Sequence, residues 1–152
     1  MGQQQLLLLV LSTVIVGLAT VAGIQAFSEN QAQASQDALT SKAVSVATDI
    51  KSLQSKPSQL GGVDLATSTN ASTLADKLGL SGQTFDAPGA GANAQCKVTT
   101  SSGSASVSCA GSDANNDVQV TYTSSSDDVS TSYGDYSSTV TPKNSGDGDS
   151  EG

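Results

Sequence analysis

The first half of the chain restricts what it can become more than anything after it. Residues 6–27 read LLLLVLSTVIVGLATVAGIQAF, an apolar run whose polar members are Ser12, Thr13, Thr20 and Gln25. No charged side chain precedes Glu29, and no proline precedes Pro57. The run passes directly into a second helical pattern that ends near Leu53. One helix over residues 6–54 is expected to be roughly 70 Å long at about 1.5 Å per residue, far longer than a small domain needs. The apolar part alone, about 33 Å, is long enough to cross a hydrocarbon core of about 30 Å.

Three fates suit such a run. It can stay in a bilayer as an anchor. It can leave the bilayer and pack against copies of itself, for which the small residues four apart, Thr13 with Gly17 and Ala19 with Gly23, allow close approach. It can also be a secretory signal, since Ala32-Gln33-Ala34 before Ser35 matches an A-x-A cleavage site. Against cleavage, no Lys or Arg precedes the run, and the helical pattern continues through the cut. The run is also longer than an ordinary signal core of about 7–15 residues. The first lysine is Lys42, so the α-amine is the only positive group before the run. The expected orientation is N-terminus inside, head outside. The opening Met1-Gly2 is not a myristoylation signal, because position 6 is Leu where that motif wants Ser or Thr.

From Ala32 the pattern becomes amphipathic. Ala32, Gln36, Leu39, Ala43, Val46, Ile50 and Leu53 recur at spacings of four and three, one stripe on a helix. Leu39, Ala43, Val46, Ile50 and Leu53 are expected to be the face on which a head packs. A free coiled coil is disfavoured by the alanines and by a length of only about three heptads. Lys51 and Lys56 complement the dipole at the helix C-terminus, and Pro57 with Gly61-Gly62 ends it.

The 152 residues leave room behind this helix for one small domain of about 85 residues and a tail. Residues 55–94 read as a connecting loop with a short helix. Thr73 and Asp76 have capping-box spacing, and Leu74, Leu78 and Gly79 complete a helix with a glycine stop. Asn70-Ala71-Ser72 is formally an N-glycosylation sequon. Residues 81–94, with Pro88 and glycines, read as a loop.

Residues 95–141 read as an antiparallel β-sheet head. Cys96, Val98 and Thr100 alternate with polar residues, as do Ala105, Val107 and Cys109, around Ser101-Ser102-Gly103-Ser104. A two-residue turn at Ser102-Gly103 sets Cys96 directly opposite Cys109. That is a non-hydrogen-bonded pair, with Cα atoms about 4.5 Å apart and within disulfide range. The chain carries two cysteines and no histidine, which argues against a metal or redox pair. A structural disulfide implies an oxidising, extracytoplasmic compartment. Val118, Val120 and Tyr122 form a third strand, and residues 129–140 a fourth, broken at Gly134-Asp135. Asp113, Asn115 and Asp117 open like a calcium loop. However, Val118 stands where the turn glycine belongs, and no Glu follows at the twelfth position. Asp and Asn also fill ordinary turns. No cofactor is expected; the calcium candidates are these three residues and the similar opening at Asp147, Asp149 and Glu151. Residues 142–152 read as a disordered acidic tail.

The net charge of −8, with six lysines and no arginine, disfavours nucleic-acid binding. The lack of histidine removes the usual general base, and no serine has a recognisable base partner, so no enzyme is expected.

A helix greasy in its first half and amphipathic in its second, followed by an antiparallel sheet with the Cys96–Cys109 pair, resembles type IV pilins and pilin-like filament subunits. The resemblance covers residues 2–53 and the general plan of the head. In that family a short leader is cut after a glycine, and the helix first sits in the inner membrane. The pilus assembly machinery then bundles it with other copies into an extracellular filament. A cut after Gly2 would leave Gln3 first and Leu7 fifth, where the family usually carries Glu. The family's common helix proline is also missing.

The resemblance implies an α+β fold and a structural, cell-surface role. Leu6, Leu9, Thr13, Gly17, Ala19, Gly23 and Phe27 would lie on the polymerising helix. Its partners would be copies of itself, the inner membrane and the assembly machinery, not nucleic acid. The alternatives are a single-pass envelope protein that does not polymerise, and a secreted binding domain released after Ala34.

Overall fold

The computed structural model describes residues 2–67, 69–91 and 93–140. The chain is α+β: a long N-terminal helix, a five-stranded antiparallel sheet and one disulfide. It divides into two compact units, residues 1–32 and 33–152. Helix α1, Gly2–Gln54, contributes to both. The expected tail, 142–152, lies outside the described residues.

The helix is stopped by the segment just past its C-terminus. The N–H of Ser55 donates to the Lys51 carbonyl at 3.1 Å, and that of Lys56 to the Leu53 carbonyl at 3.2 Å. Val63 N–H returns to the same Leu53 carbonyl, and Leu65 N–H donates to Gln54 Oε1 at 3.1 Å. The bonds to Lys51 and Leu53 satisfy carbonyls that a helix C-terminus leaves unpaired. Gly61 sits at φ 85°, and a Cβ on Gly62 would run into the Lys56 carbonyl. The reversal therefore requires glycine at both positions.

In the second unit, the sheet is a meander in the order β1 (Thr84–Asp86), β2 (Gln95–Ser101), β3 (Ser104–Ala110), β4 (Asp117–Thr123), β5 (Asp128–Gly134). Its inner face presents Phe85, Cys96, Val98, Ala105, Val107, Cys109, Val118, Val120 and Tyr122. These share one buried cluster with Leu39, Ala43, Val46 and Ile50 of α1, while Leu53 packs at its edge. Ala47 belongs to the cluster and Ser35 is buried as well, so the stripe is wider than its large residues indicate. The outer face is polar. Ser106 and Thr121 hydroxyls are 3.0 Å apart, and Gln119 Nε2 donates to the buried Ser108 hydroxyl at 2.8 Å.

The β2–β3 register pairs Ser101 with Ser104 and Cys96 with Cys109, as a two-residue turn demands. Gly103 takes φ 79° in that turn.

Three local expectations change. Helix α2 spans Ala71–Lys77 and starts after Asn70, so Thr73 lies inside it and the Thr73/Asp76 capping box does not form. Leu74 N–H already donates to the Asn70 carbonyl, and the burial of Leu74 and Ala75 favours the earlier start. The glycine stop is present. Gly79 at φ 69° donates to Asp76, and Leu80 donates to Ala75, a Schellman ending. Second, the segment expected to be a loop contains β1, where buried Phe85 pairs with Cys96. Three residues are too few to show a period of two. Third, the last strand ends at Gly134. Beyond it, Tyr136 N–H donates to Asp117 Oδ2 at 2.9 Å, and Val140 is buried.

Candidate functional site

The first unit has one chemical character. Between residues 6 and 27, each large apolar side chain is exposed, with Ile24 and Phe27 more than 70 % accessible (71 % and 73 %). The most apolar stretch of α1 is long enough to cross a membrane, and none of it is buried within the chain. Such a surface is unfavourable in water and requires an apolar environment.

The polar side chains in this run are mostly satisfied by the helix itself. Ser12 Oγ donates to the Leu9 carbonyl at 3.0 Å, Thr13 Oγ1 to Val10 at 2.8 Å, and Thr20 Oγ1 to Gly17 at 2.8 Å. The three hydroxyl donors can therefore enter an apolar medium without an unmet bond. A Cβ on Gly17 or Gly23 would meet nothing within 4 Å in this chain. Leu6, Leu9, Thr13, Gly17, Ala19, Gly23 and Phe27 are all exposed on α1. The helix is continuous through Ala34, the residue of the candidate signal cleavage.

In the second unit the expected cysteine pair is bonded. Cys96 and Cys109 form a disulfide with Cα atoms 4.0 Å apart, and both are fully buried. The bridge ties β2 to β3 at the centre of the core, in the register set by the hairpin turn.

The two carboxylates among the calcium candidates accept hydrogen bonds within the chain. The Asp113 carboxylate lies against Gly91 and accepts a bond from Ser112 Oγ at 3.4 Å. Asp117 Oδ2 accepts the Tyr136 N–H, while Asn115 is exposed in the turn between β3 and β4. Among the described residues, no group of three or more His, Cys, Asp and Glu side chains is placed to hold a metal ion.

A polar junction at the β4–β5 turn has no counterpart among the sequence motifs. Lys51 Nζ lies 2.9 Å from Asp127 Oδ2, and Tyr122 OH donates to Asp127 Oδ1 at 3.0 Å. The hydrogen bond from Lys51, then that from Tyr122, holds the Asp127 carboxyl below the usual carboxylate range. Burial, then the Asp127 bond and charge, pushes the Tyr122 phenol up. A lysine at the last turn and an aspartate far along the chain carry no sequence signal of their pairing.

Neither a protein-family model, nor a curated protein, nor a solved structure matches the chain.

Proposed function

We propose that the chain is the structural subunit of an extracellular, type IV pilus-like filament. Its N-terminal helix would bundle with the helices of other copies, leaving the sheet units outside, and it performs no catalysis. One observation carries this reading: residues 6–27 form a continuous uncharged helix whose apolar side chains are exposed and whose hydroxyls are bonded to their own backbone. Such a helix passes from lipid into a bundle of like helices at little desolvation cost. The buried disulfide supports an oxidising compartment for the second unit. The membrane and an assembly machinery are the partners before polymerisation, and copies of the chain are the partners after it.

A second reading is a single-pass envelope protein that stays in the membrane, favoured by the spanning length of the same helix. Negative-stain microscopy and N-terminal mass analysis of material sheared from the cell surface separate the two. Thin filaments built of a chain that starts within residues 1–3 support the filament. Protein found only in the membrane fraction supports the anchor, and a soluble monomer starting at Ser35 overturns both.

A further inference from the structure

We infer that Asn70 is the acceptor of an N-linked glycan. Asn70-Ala71-Ser72 has the acceptor pattern, whereas Asn30, Asn93, Asn115, Asn116 and Asn144 lack Ser or Thr two residues on. The structure presents the pattern in an accessible form. Asn70 and Ser72 are both exposed, and the Asn70 backbone is extended at φ −70° and ψ 146°.

An asparagine just ahead of a helix ordinarily uses its side-chain oxygen on the first-turn N–H groups. The Asn70 carboxamide makes no such bond. The carboxamide is thus not oriented by the α2 turn, and the residue is exposed. Beside it is a hollow of about 300 Å³ lined by Thr69, Asn70, Thr100, Ser101 and Ser102. Among the described residues, those that line it carry hydroxyls and the Asn70 carboxamide, and none is a large apolar side chain.

The reaction needs a sugar donor carried on a lipid phosphate and a membrane transferase on the same side as the second unit. Asn70 Nδ2 bonds to C1 of the sugar, and the C1–O bond to the phosphate breaks. The lipid phosphate leaves with the electron pair, and the amide proton passes to a base. The inference rests on the filament reading only in placing the second unit outside the cell.

The test is mass analysis of the tryptic peptide from protein recovered at the surface of cells that make it. Cleavage after Lys56 is blocked by Pro57, so the peptide spans residues 52–77, in which Asn70 is the sole asparagine. The expected result is a peptide heavier by an oligosaccharide. Asn70→Gln and Ser72→Ala both return it to the sequence mass, while Ser72→Thr keeps the addition. A wild-type peptide at sequence mass overturns the inference, as does an addition that survives Asn70→Gln. Filaments of unmodified subunits would overturn it and leave the filament reading standing. A glycosylated surface protein that forms no filaments would do the reverse.

Discussion

Lys51 holds Asp127 at two points: its Nζ lies 2.9 Å from Oδ2 and donates to the Asp127 backbone carbonyl at 3.2 Å. Asp127 is the one non-glycine residue with positive φ, 52°, among those described. Aspartate tolerates that conformation better than most residues, because its short side chain can hydrogen-bond locally. The pair fastens the β4–β5 turn to the C-terminal part of α1, across a stretch where the exposed strand β5 contributes little to the core.

This junction should give the protein an acid limb. The Lys51 bond, then the Tyr122 bond, lowers the Asp127 pKa in the folded state. A depressed carboxyl contributes stability that is present above its unfolded value, about 3.9, and is lost as pH falls through the folded value. Asp127→Asn keeps an acceptor for Tyr122 and a residue suited to positive φ, but it cannot titrate. Melting profiles should therefore stay fully separated above about pH 4, with the wild type more stable, and converge only as pH falls further, through the lowered folded value. The separation should shrink in high salt, since the pair is solvent-exposed. Parallel profiles across that range would show that the ion pair contributes nothing.

The stripe on α1 makes a graded prediction. Leu39 and Ile50 are fully buried, whereas Val44, on the same helix, is 39 % exposed. Leu39→Ala and Ile50→Ala should each cost about 2–5 kcal/mol by leaving cavities. Val44→Ala should stay within about 0.5 kcal/mol. Denaturant titration of the full chain in detergent reads both. Equal losses at positions 39 and 44 would mean that the core face has been misplaced.

How much the residues alone reveal depends on how local each signal is. The apolar run, the stripe and the Cys96–Cys109 register are set by spacings within one element or one hairpin. They are legible because a period or a two-residue turn fixes them. Strand β1 is not legible, because three residues cannot establish alternation and Phe85 is held by its pairing with Cys96. The start of α2 departs from the Thr73/Asp76 pattern because the burial of Leu74 and Ala75 outweighs a short-range cap. The Lys51–Asp127 contact joins residues 76 positions apart, and no composition rule reaches that far. The spacing of Asp113, Asn115 and Asp117 is equally legible, whereas the bond that Asp117 accepts from the Tyr136 N–H, 19 positions away, is not.

The disulfide should matter because the core it crosses is small and contains few aromatics. Closing a loop of this length is worth about 3 kcal/mol in the chain-entropy account. Cys96→Ala with Cys109→Ala, which avoids an unpaired thiol, should lower Tm by more than about 10 °C for a unit of this size. Calorimetry of oxidised wild type against the double variant measures it. A change of only a degree or two would place the stabilisation in side-chain packing rather than in the cross-link.

Gly17 and Ala19 test the filament contact without disturbing the subunit. A side chain at Gly17 meets nothing in its own chain, and Ala19 is exposed. Leucine at position 17 is a better helix former than glycine by somewhat under ~1 kcal/mol. Each new leucine also favours membrane insertion by about 0.3–0.6 kcal/mol. Gly17→Leu and Ala19→Leu should therefore leave the membrane-inserted protein intact. The two positions lie on opposite sides of α1, so if neighbouring helices approach closely along either one, the added bulk there opens the contact and assembly falls. Filament yield in the sheared fraction should drop at least about tenfold, equivalent to about 1.4 kcal/mol of association free energy. Wild-type yields of normal filaments from both variants would remove both faces from the interface.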